Sequence, residues 1–136
     1  MKRIVLFAVF ACLGAAFAKT PEGWTDDYDA ALRQAAAEKK TVLADFSGSD
    51  WCKLCQKLDQ EVFSTAEFRK AAPARYVLLY VDLPSDPKAL SEQARARNMK
   101  LAQRYAVRQF PTVLALDATG KELARPVIRK AARRLF

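Results

Sequence analysis

The sequence predicts an α/β fold in one domain, with a central β-sheet and helices packed against it. Three short apolar runs of strand type, at 41–46, 76–81 and 112–116, are separated by segments whose apolar residues recur at helical spacing. Elements that alternate in this way build a layered domain around a single sheet. The length of 136 residues suits one domain, and a hydrophobic content of 51% is enough to form a core.

The first predicted element is an alanine-rich helix. We expect it to start at Thr25, whose hydroxyl suits an N-cap, and to end near Lys39. The run 41–46 comes next; it is short and apolar and is followed by the turn residues 47–49. This pattern indicates a buried strand.

A second helix is expected to begin at about Cys52, because leucine and valine residues follow it at helical spacing. The helix should break at Phe63, since residues 64–67 match the capping-box pattern that starts a new helix. That short helix should run to Ala72, because Pro73 lacks the N–H group needed to continue it.

The segment 75–83 is rich in valine, leucine and tyrosine, which is typical of a strand covered on both faces. Asp86 and Pro87 then resemble a helix start, with an acidic cap and a proline in the first turn. The apolar stripe that follows ends at Tyr105 and predicts a helix of roughly four turns.

A β-hairpin closes the predicted pattern. Residues 112–116 form its first strand, 117–120 are turn residues, and 121–128 form the returning strand. Pro126 removes one backbone donor from the last strand, so we expect that strand at an edge of the sheet.

Two cysteines, Cys52 and Cys55, stand three positions apart where the strand at 41–46 gives way to the second helix. At the first residues of a helix, a sulfur faces unpaired backbone N–H groups and the positive end of the helix dipole, which favours the thiolate. A second sulfur one turn further on lies on the same face and within reach of a disulfide. The pair supplies an attacking and a resolving sulfur, which predicts disulfide exchange.

Two other interpretations of this dithiol stay open. A structural disulfide between the two cysteines would close a loop too short to constrain the unfolded chain much. A metal site would need further ligands, because two thiolates supply half of a tetrahedral zinc shell and the chain has no histidine. The lack of histidine also excludes Ser-His-Asp and Cys-His catalysis.

The N-terminal residues 1–18 have the pattern of a secretory signal peptide: a basic start, an apolar stretch and small residues before a cleavage site after Ala18. We therefore expect a periplasmic or secreted domain at 19–136. A retained membrane anchor is one alternative. Another is a lipoprotein signal, in which Cys12 would be acylated and would attach the protein to a membrane.

The formal net charge is +8, and about +6 once the two basic residues of the signal segment are removed. Much of the excess lies between 125 and 134, where no aromatic residues interleave with the arginines. An exported protein meets little nucleic acid, so we interpret this segment as a solvated basic face and expect no nucleic-acid partner.

The dithiol and its surroundings resemble the thioredoxin-like family, and the resemblance runs from about Trp24 to Ile128. The matching segments, in the order and spacing of the family, are Asp45-Phe46, Trp51-Cys52-Lys53-Leu54-Cys55, Phe110-Pro111-Thr112 and Gly120-Lys121-Glu122. The segment 48–59 is similar to exported bacterial members. The resemblance implies a thioredoxin-like fold, in which helices flank a central mixed β-sheet.

By this resemblance Cys52 attacks the substrate disulfide and Cys55 resolves the mixed disulfide. Asp45 matches the family's buried carboxylate, which helps to move a proton off the resolving cysteine, and burial in an apolar strand should raise its pKa. The chain has one more residue between Asp45 and Cys52 than thioredoxin itself. Asp45 therefore lies near Cys55 only if the loop absorbs the extra residue; otherwise it is a polar residue at a strand end.

Phe110 and Pro111 resemble the family's cis-proline element, which lies against the dithiol and, together with Thr112, presents a backbone edge to a bound peptide. The alternative is a trans proline that opens a strand. Trp51, beside the attacking cysteine, is expected to shield the disulfide and contact substrates, with ordinary packing as the alternative.

The C-terminus departs from the family pattern. Thioredoxin-like folds end with a long helix over one face of the sheet, whereas only residues 129–136 remain after the last predicted strand. We therefore expect the C-terminal helix to be short or missing.

Together these features predict a thiol–disulfide oxidoreductase of the protein-disulfide reductase type that acts on exported proteins, without a cofactor or a metal. Its partners would be disulfide-containing proteins and a redox partner that recharges the dithiol. Lys53 and Leu54 match neither reducing thioredoxins nor strong periplasmic oxidants, so they leave the direction of electron flow open. The rival hypothesis is a non-catalytic thioredoxin-like binding module, with Cu(I) held at the dithiol.

Overall fold

The computed structural model describes residues 19–126. These residues form a sheet with helices on both faces. The helices are α1 (Tyr28–Glu38), α2 (Lys53–Leu58), α3 (Ala66–Ala71) and α4 (Glu92–Arg104); a π-helical turn (Asp59–Phe63) continues α2, and a 3₁₀ turn (Ala72–Ala74) follows α3. The strands are β1 (Thr41–Ser47), β2 (Tyr76–Asp82), β3 (Thr112–Leu116) and β4 (Glu122–Ala124).

The four strands form one mixed sheet in the order β2-β1-β3-β4. The strand β1 is central; it pairs in parallel with β2 and antiparallel with β3, while β3 and β4 form the closing hairpin. The outer edge of β2 is partly covered, because Thr25 donates its N–H to Leu78 at 2.9 Å and accepts the N–H of Tyr80 at 2.8 Å. The mixed sheet confirms the thioredoxin-like fold expected from the sequence.

Successive side chains of β1 point to opposite faces of the sheet, and this alternation divides the core into two layers. One face of β1, through Val42, Ala44 and Phe46, packs with buried residues of α1 and α4. The opposite face, through Leu43, packs with buried residues of α2, the π-helical turn and α3. Asp45 follows the same alternation and therefore faces the α2 side of the sheet.

Two predicted caps are wrong by one or two residues. The helix α1 is capped by Asp27, whose Oδ1 accepts the N–H of Ala30 at 2.9 Å, because the backbone of Thr25 is engaged by β2. The helix α3 is capped by Thr65, whose hydroxyl accepts the N–H of Phe68, rather than by Ser64.

The start predicted for α4 is also wrong. The helix begins at Glu92, with Ser91 as the cap that accepts the N–H of Ala94 at 3.1 Å. Asp86 instead closes a local turn, since its Oδ1 accepts the N–H of Lys88 at 2.8 Å. Residues 86–90 are therefore turns and bends, and the helix forms only after them.

The hairpin and the position of its last strand agree with the prediction, although the strand is shorter. The strand β4 lies at the edge of the sheet and ends at Ala124, so Pro126 lies beyond it. The predicted signal peptide at 1–18 and the short C-terminal helix at 129–136 fall outside the described residues. Within 19–126, none of the helices is long and apolar enough to cross a membrane.

Candidate active site

The two cysteines lie where the chain leaves the sheet and enters α2. Cys52 is the N-cap residue of α2, with an extended backbone, and its Sγ accepts the N–H of Cys55 at 3.1 Å. Cys55 lies in the first turn of the helix, and the two are joined by a disulfide with a Cα–Cα distance of 5.2 Å. The sulfur of Cys52 therefore occupies the position at which a side chain satisfies a free N–H of the helix, as the sequence predicts.

The disulfide is partly enclosed by its surroundings. Cys52 and Cys55 are each only 5% exposed. The N–H of Cys52 donates to the carbonyl of Gly48 at 2.8 Å, and that of Trp51 donates to the same carbonyl at 3.3 Å. Residues 48–52 thus form a tight turn between β1 and α2.

The peptide bond between Phe110 and Pro111 is cis, as expected for the proline element. Thr112, the next residue, is buried and begins β3; its hydroxyl donates to the carbonyl of Gln109 at 2.7 Å. Phe110, Pro111 and Thr112 line a groove of about 720 Å³ together with Leu54, whose side chain is 65% exposed. The proline element and Leu54, one of the two residues between the cysteines, therefore border one groove.

Trp51 combines the two interpretations considered for it. Its indole N–H donates to the carbonyl of Leu83 at 2.9 Å, and its ring meets that of Phe110 edge to face at a centroid distance of 5.4 Å. Even so, 45% of the residue is exposed. Trp51 is packed on one side and open to solvent on the other, which leaves an aromatic surface beside Cys52.

Asp45 is buried on β1 and lines a cavity of about 220 Å³ that Cys55 also lines. Its Oδ1 has no hydrogen-bond partner within the part of the chain that the structure describes. Burial raises the pKa of Asp45 to about 8, and the negative charges of Asp59 and Asp82 raise it further. The structure thus brings Asp45 and Cys55 to one cavity, with the raised pKa that the sequence predicts.

Two further titratable residues line this cavity and were not predicted as site residues. Tyr80 lies opposite Asp45 in the β1–β2 register, and burial raises the pKa of its phenol. Asp59 lies four residues after Cys55 and accepts the hydroxyl of Ser64 at 3.0 Å. The spacing of Cys55 and Asp59, one helical turn apart, is the signal that could have identified Asp59; no local pattern pairs Tyr80 with Asp45.

The described residues offer no group of three or more histidine, cysteine or carboxylate side chains that could hold a metal ion. The dithiol alone supplies two soft sulfur ligands, which is half of a tetrahedral shell.

Comparison with known proteins gives a consistent family assignment. Residues 28–127 match the family model described as a thioredoxin-like domain. The chain is similar to the disulfide bond reductase DsbH of Chlamydia pneumoniae, with 34% identity over 100 residues that cover 74% of this chain and 60% of the relative. It is also similar to the thiol:disulfide interchange protein DsbD of Cronobacter sakazakii, with 33% identity over 98 residues that cover 72% of this chain and 15% of the relative.

The solved structures agree with the sequence relatives. A structure described as DsbH oxidoreductase superposes with a TM-score of 0.72 and 27% identity, covering 100% of this chain and 96% of the other. A thioredoxin from Thermus thermophilus superposes with a TM-score of 0.56 and 24% identity, covering 79% of this chain and 82% of the other. The matched part of this chain thus spans about three fifths of the curated DsbH and a small fraction of the curated DsbD.

Replacing Asp45 by asparagine should change how stability depends on pH. In the unfolded chain an aspartate titrates near pH 4, whereas folded Asp45 titrates at about 8. Between these values only the folded protein holds the proton, so the wild type loses stability as pH rises from about 4 to about 8. Asp45→Asn lacks this loss. The difference in unfolding free energy between Asp45→Asn and the wild type should therefore increase from pH about 4 to about 8 and stay constant above that range.

The measurement is urea unfolding of the two disulfide-bonded proteins at a series of pH values. The matched control is Asp117→Asn, since hydrogen bonds from Thr119 lower the pKa of half-buried Asp117 and give the opposite pH trend. A stability difference between Asp45→Asn and wild type that does not vary with pH would contradict the buried, protonated carboxyl.

Proposed function

This chain belongs to the thioredoxin-like family, and we propose that it is a thiol–disulfide oxidoreductase that reduces disulfides in exported proteins. The observation that carries the proposal is the Cys52–Cys55 pair at the start of α2, with the sulfur of Cys52 at the N-cap. The names of the relatives, disulfide bond reductase and thiol:disulfide interchange protein, support the same chemistry.

In the first step the reduced protein attacks its substrate. The Cys52 thiolate attacks one sulfur of the substrate disulfide, so that the substrate S–S bond breaks and the other substrate sulfur leaves as a thiolate. The N–H of Cys55, which reaches the Cys52 sulfur at 3.1 Å in the disulfide form, favours the thiolate through hydrogen bonding and the helix dipole. The product is a mixed disulfide between Cys52 and the substrate.

In the second step Cys55 resolves the mixed disulfide. Its thiol gives a proton to the Asp45 carboxylate, and the resulting thiolate attacks the Cys52 sulfur and releases the second substrate thiolate. A pKa of about 8 for Asp45 is close to the ordinary thiol pKa of about 8.5, so the proton moves between nearly matched groups. Two electrons pass to the substrate, and the protein ends with the Cys52–Cys55 disulfide.

Substrate binding is assigned to the groove beside the disulfide. Phe110 lines this groove, and Trp51 packs on Phe110, so that the two rings form one aromatic wall. The backbone around Pro111 and Thr112 contacts the substrate main chain. Support comes from the edge-to-face contact of the two aromatic rings and from the groove that Leu54, Pro111 and Thr112 share.

The cellular compartment that we propose rests on the predicted leader sequence at 1–18 and on the redox chemistry. We place the protein in the periplasm or outside the cell, with cleavage after Ala18, and attached to a membrane only if Cys12 is acylated. In an oxidising compartment a spent reductant must be reduced again, so a second redox protein is required as a partner. The excess of positive charge is interpreted as a solvated surface, with no role in binding nucleic acid.

The cysteine variants separate this function from the binding module. Cys52→Ser should abolish reduction of a protein disulfide such as insulin, because no attacking sulfur remains. Cys55→Ser should accumulate mixed disulfides with substrates in cells, detected by capture and mass spectrometry under alkylating conditions. The control is the double variant Cys52→Ser/Cys55→Ser, which should trap nothing. A Cys55→Ser protein that captures no partner, together with tight retention of Cu(I) by the wild-type dithiol, would favour the binding module.

Asp45→Asn should slow the resolving step by about 100-fold at neutral pH, because the amide cannot accept the Cys55 proton. In the wild type the resolving rate should rise with pH and level off near the Asp45 pKa of about 8. Acid-quenched single-turnover reactions with a disulfide peptide measure the lifetime of the mixed disulfide. A resolving rate in Asp45→Asn equal to that of the wild type would remove Asp45 from the mechanism.

A further inference from the structure

The turn before the dithiol is tied to the segment that follows β2. The N–H and hydroxyl of Ser49 donate to the two carboxylate oxygens of Asp82 at 3.0 and 2.6 Å. Asp82 is itself held in place, because its backbone carbonyl accepts the side-chain amide of buried Asn98 at 2.8 Å. The first anchor of the turn therefore lies in the interior of the protein.

Asp50 makes the second anchor, which lies at the surface. Its carboxylate accepts the N–H of Ser85 at 2.9 Å, the hydroxyl of Ser85 at 2.9 Å and the N–H of Asp86 at 2.8 Å. These bonds to the backbone of Ser85 and Asp86 lower the pKa of Asp50, so the side chain stays ionised at neutral pH. Although Asp50 is exposed, it fixes the backbone of residues 85–86.

Trp51 is the third consecutive residue bound to this segment, through the hydrogen bond from its indole to the carbonyl of Leu83. The indole also covers Gly48 so closely that a Cβ atom there would overlap the ring. On its other side it meets Phe110 of the proline element. The ring is therefore held by the turn, by residue 83 and by Phe110 while nearly half of it faces solvent.

We propose that Asp50 is a positioning residue for Trp51: by fixing residues 85–86 it holds the Leu83 carbonyl that orients the indole against Phe110, so that the two rings form an aromatic wall beside Cys52. The hydrogen bonds of the Asp50 side chain go to Ser85 and Asp86, and its effect on the reaction passes through Trp51. The inference rests on the proposed function and adds a determinant of substrate choice to it.

The substrates affected are folded or extended polypeptides rather than small disulfides. A small disulfide needs only to reach the Cys52 sulfur, whereas a polypeptide must also lie along the aromatic wall that Trp51 and Phe110 form together. A wall that is already ordered lowers the entropy lost when such a chain binds and places its disulfide for attack. A mobile indole should therefore lower the rate constant for protein substrates more than the rate constant for glutathione disulfide.

The chain offers a matched control in Asp117. Its Oδ1 accepts the N–H and hydroxyl of Thr119 at 2.8 and 2.6 Å and the N–H of Lys121 at 3.0 Å, so it makes the same kinds of bonds as Asp50. Asp117 follows the end of β3, whereas the proline element precedes its start, so the two aspartates lie at opposite ends of the sheet. Asp117→Ala should lower thermal stability as Asp50→Ala does, without a change in substrate choice.

The test compares the reduced proteins in two reactions, with insulin and with glutathione disulfide, well below their thermal midpoints. In Asp50→Ala the ratio of the insulin rate constant to the glutathione disulfide rate constant should fall about tenfold, while in Asp117→Ala it should equal the wild-type ratio. Adding Asp50→Ala to Trp51→Ala should lower the ratio no further, because both changes remove the same wall.

Three results would overturn the inference: an unchanged ratio in Asp50→Ala, an equal fall in Asp117→Ala, or additive effects of the Asp50 and Trp51 changes. If Asp50→Ala does not fold, Ser85→Ala and Asp50→Asn serve instead, and each should lower the ratio by a smaller factor. A wild type that reduces neither substrate would overturn the proposed function itself. An active wild type with an unchanged ratio in the Asp50 variants overturns this inference alone.

Discussion

The burial of a carboxyl group on the central strand is the constraint on which the site depends. Because β1 has a hydrogen-bonded partner on each side and helices over both faces, its residues 42–47 are all buried. Asp45 is one of these residues and is only 5% exposed. The fold therefore holds an acid whose pKa lies near that of a thiol, beside a cavity that Cys55 also lines.

The same strand determines where the sulfur atoms lie. β1 ends at Ser47, the turn at 48–51 follows, and Cys52 caps the helix that comes next. The opposite border of the site is built by β3, which pairs antiparallel with β1 and so brings the cis-proline element to the end of the sheet where β1 stops. One strand thus positions the acid, the nucleophile and, through its partner strand, the substrate groove.

Local sequence patterns were sufficient for the strands and for the dithiol, whereas roles for Asp45, Trp51 and the proline element were suggested by the resemblance to the thioredoxin-like family. The strands at 41–46, 76–81 and 112–116 stand out because their apolar runs are buried on both faces, and the spacing of Cys52 and Cys55 identifies the dithiol. The caps were predicted less well, because a cap depends on which partner claims the backbone. The backbone of Thr25 is hydrogen-bonded to β2, and the Asp86 carboxylate closes a local turn with Lys88, so α1 and α4 start later than their local patterns indicate.

Contacts between distant segments could not be predicted from local patterns. Tyr80 lies beside Asp45 only because of the register between β1 and β2. The Asp50 carboxylate accepts hydrogen bonds from Ser85 only because the turn lies next to the segment that follows β2. Both contacts join residues about 35 positions apart, for which a single sequence carries no spacing signal. These are also the contacts that surround the dithiol and set its environment.

Whether the protein donates electrons to substrate disulfides is decided by the equilibrium reduction potential of the Cys52–Cys55 couple. Titration against a thiol–disulfide buffer, with the two redox forms quantified by mass spectrometry, gives this value. For a protein that reduces its substrates, we expect a potential near that of thioredoxin, about −270 mV. A potential between about −180 and −120 mV, in the range of isomerases and strong oxidants, would contradict it.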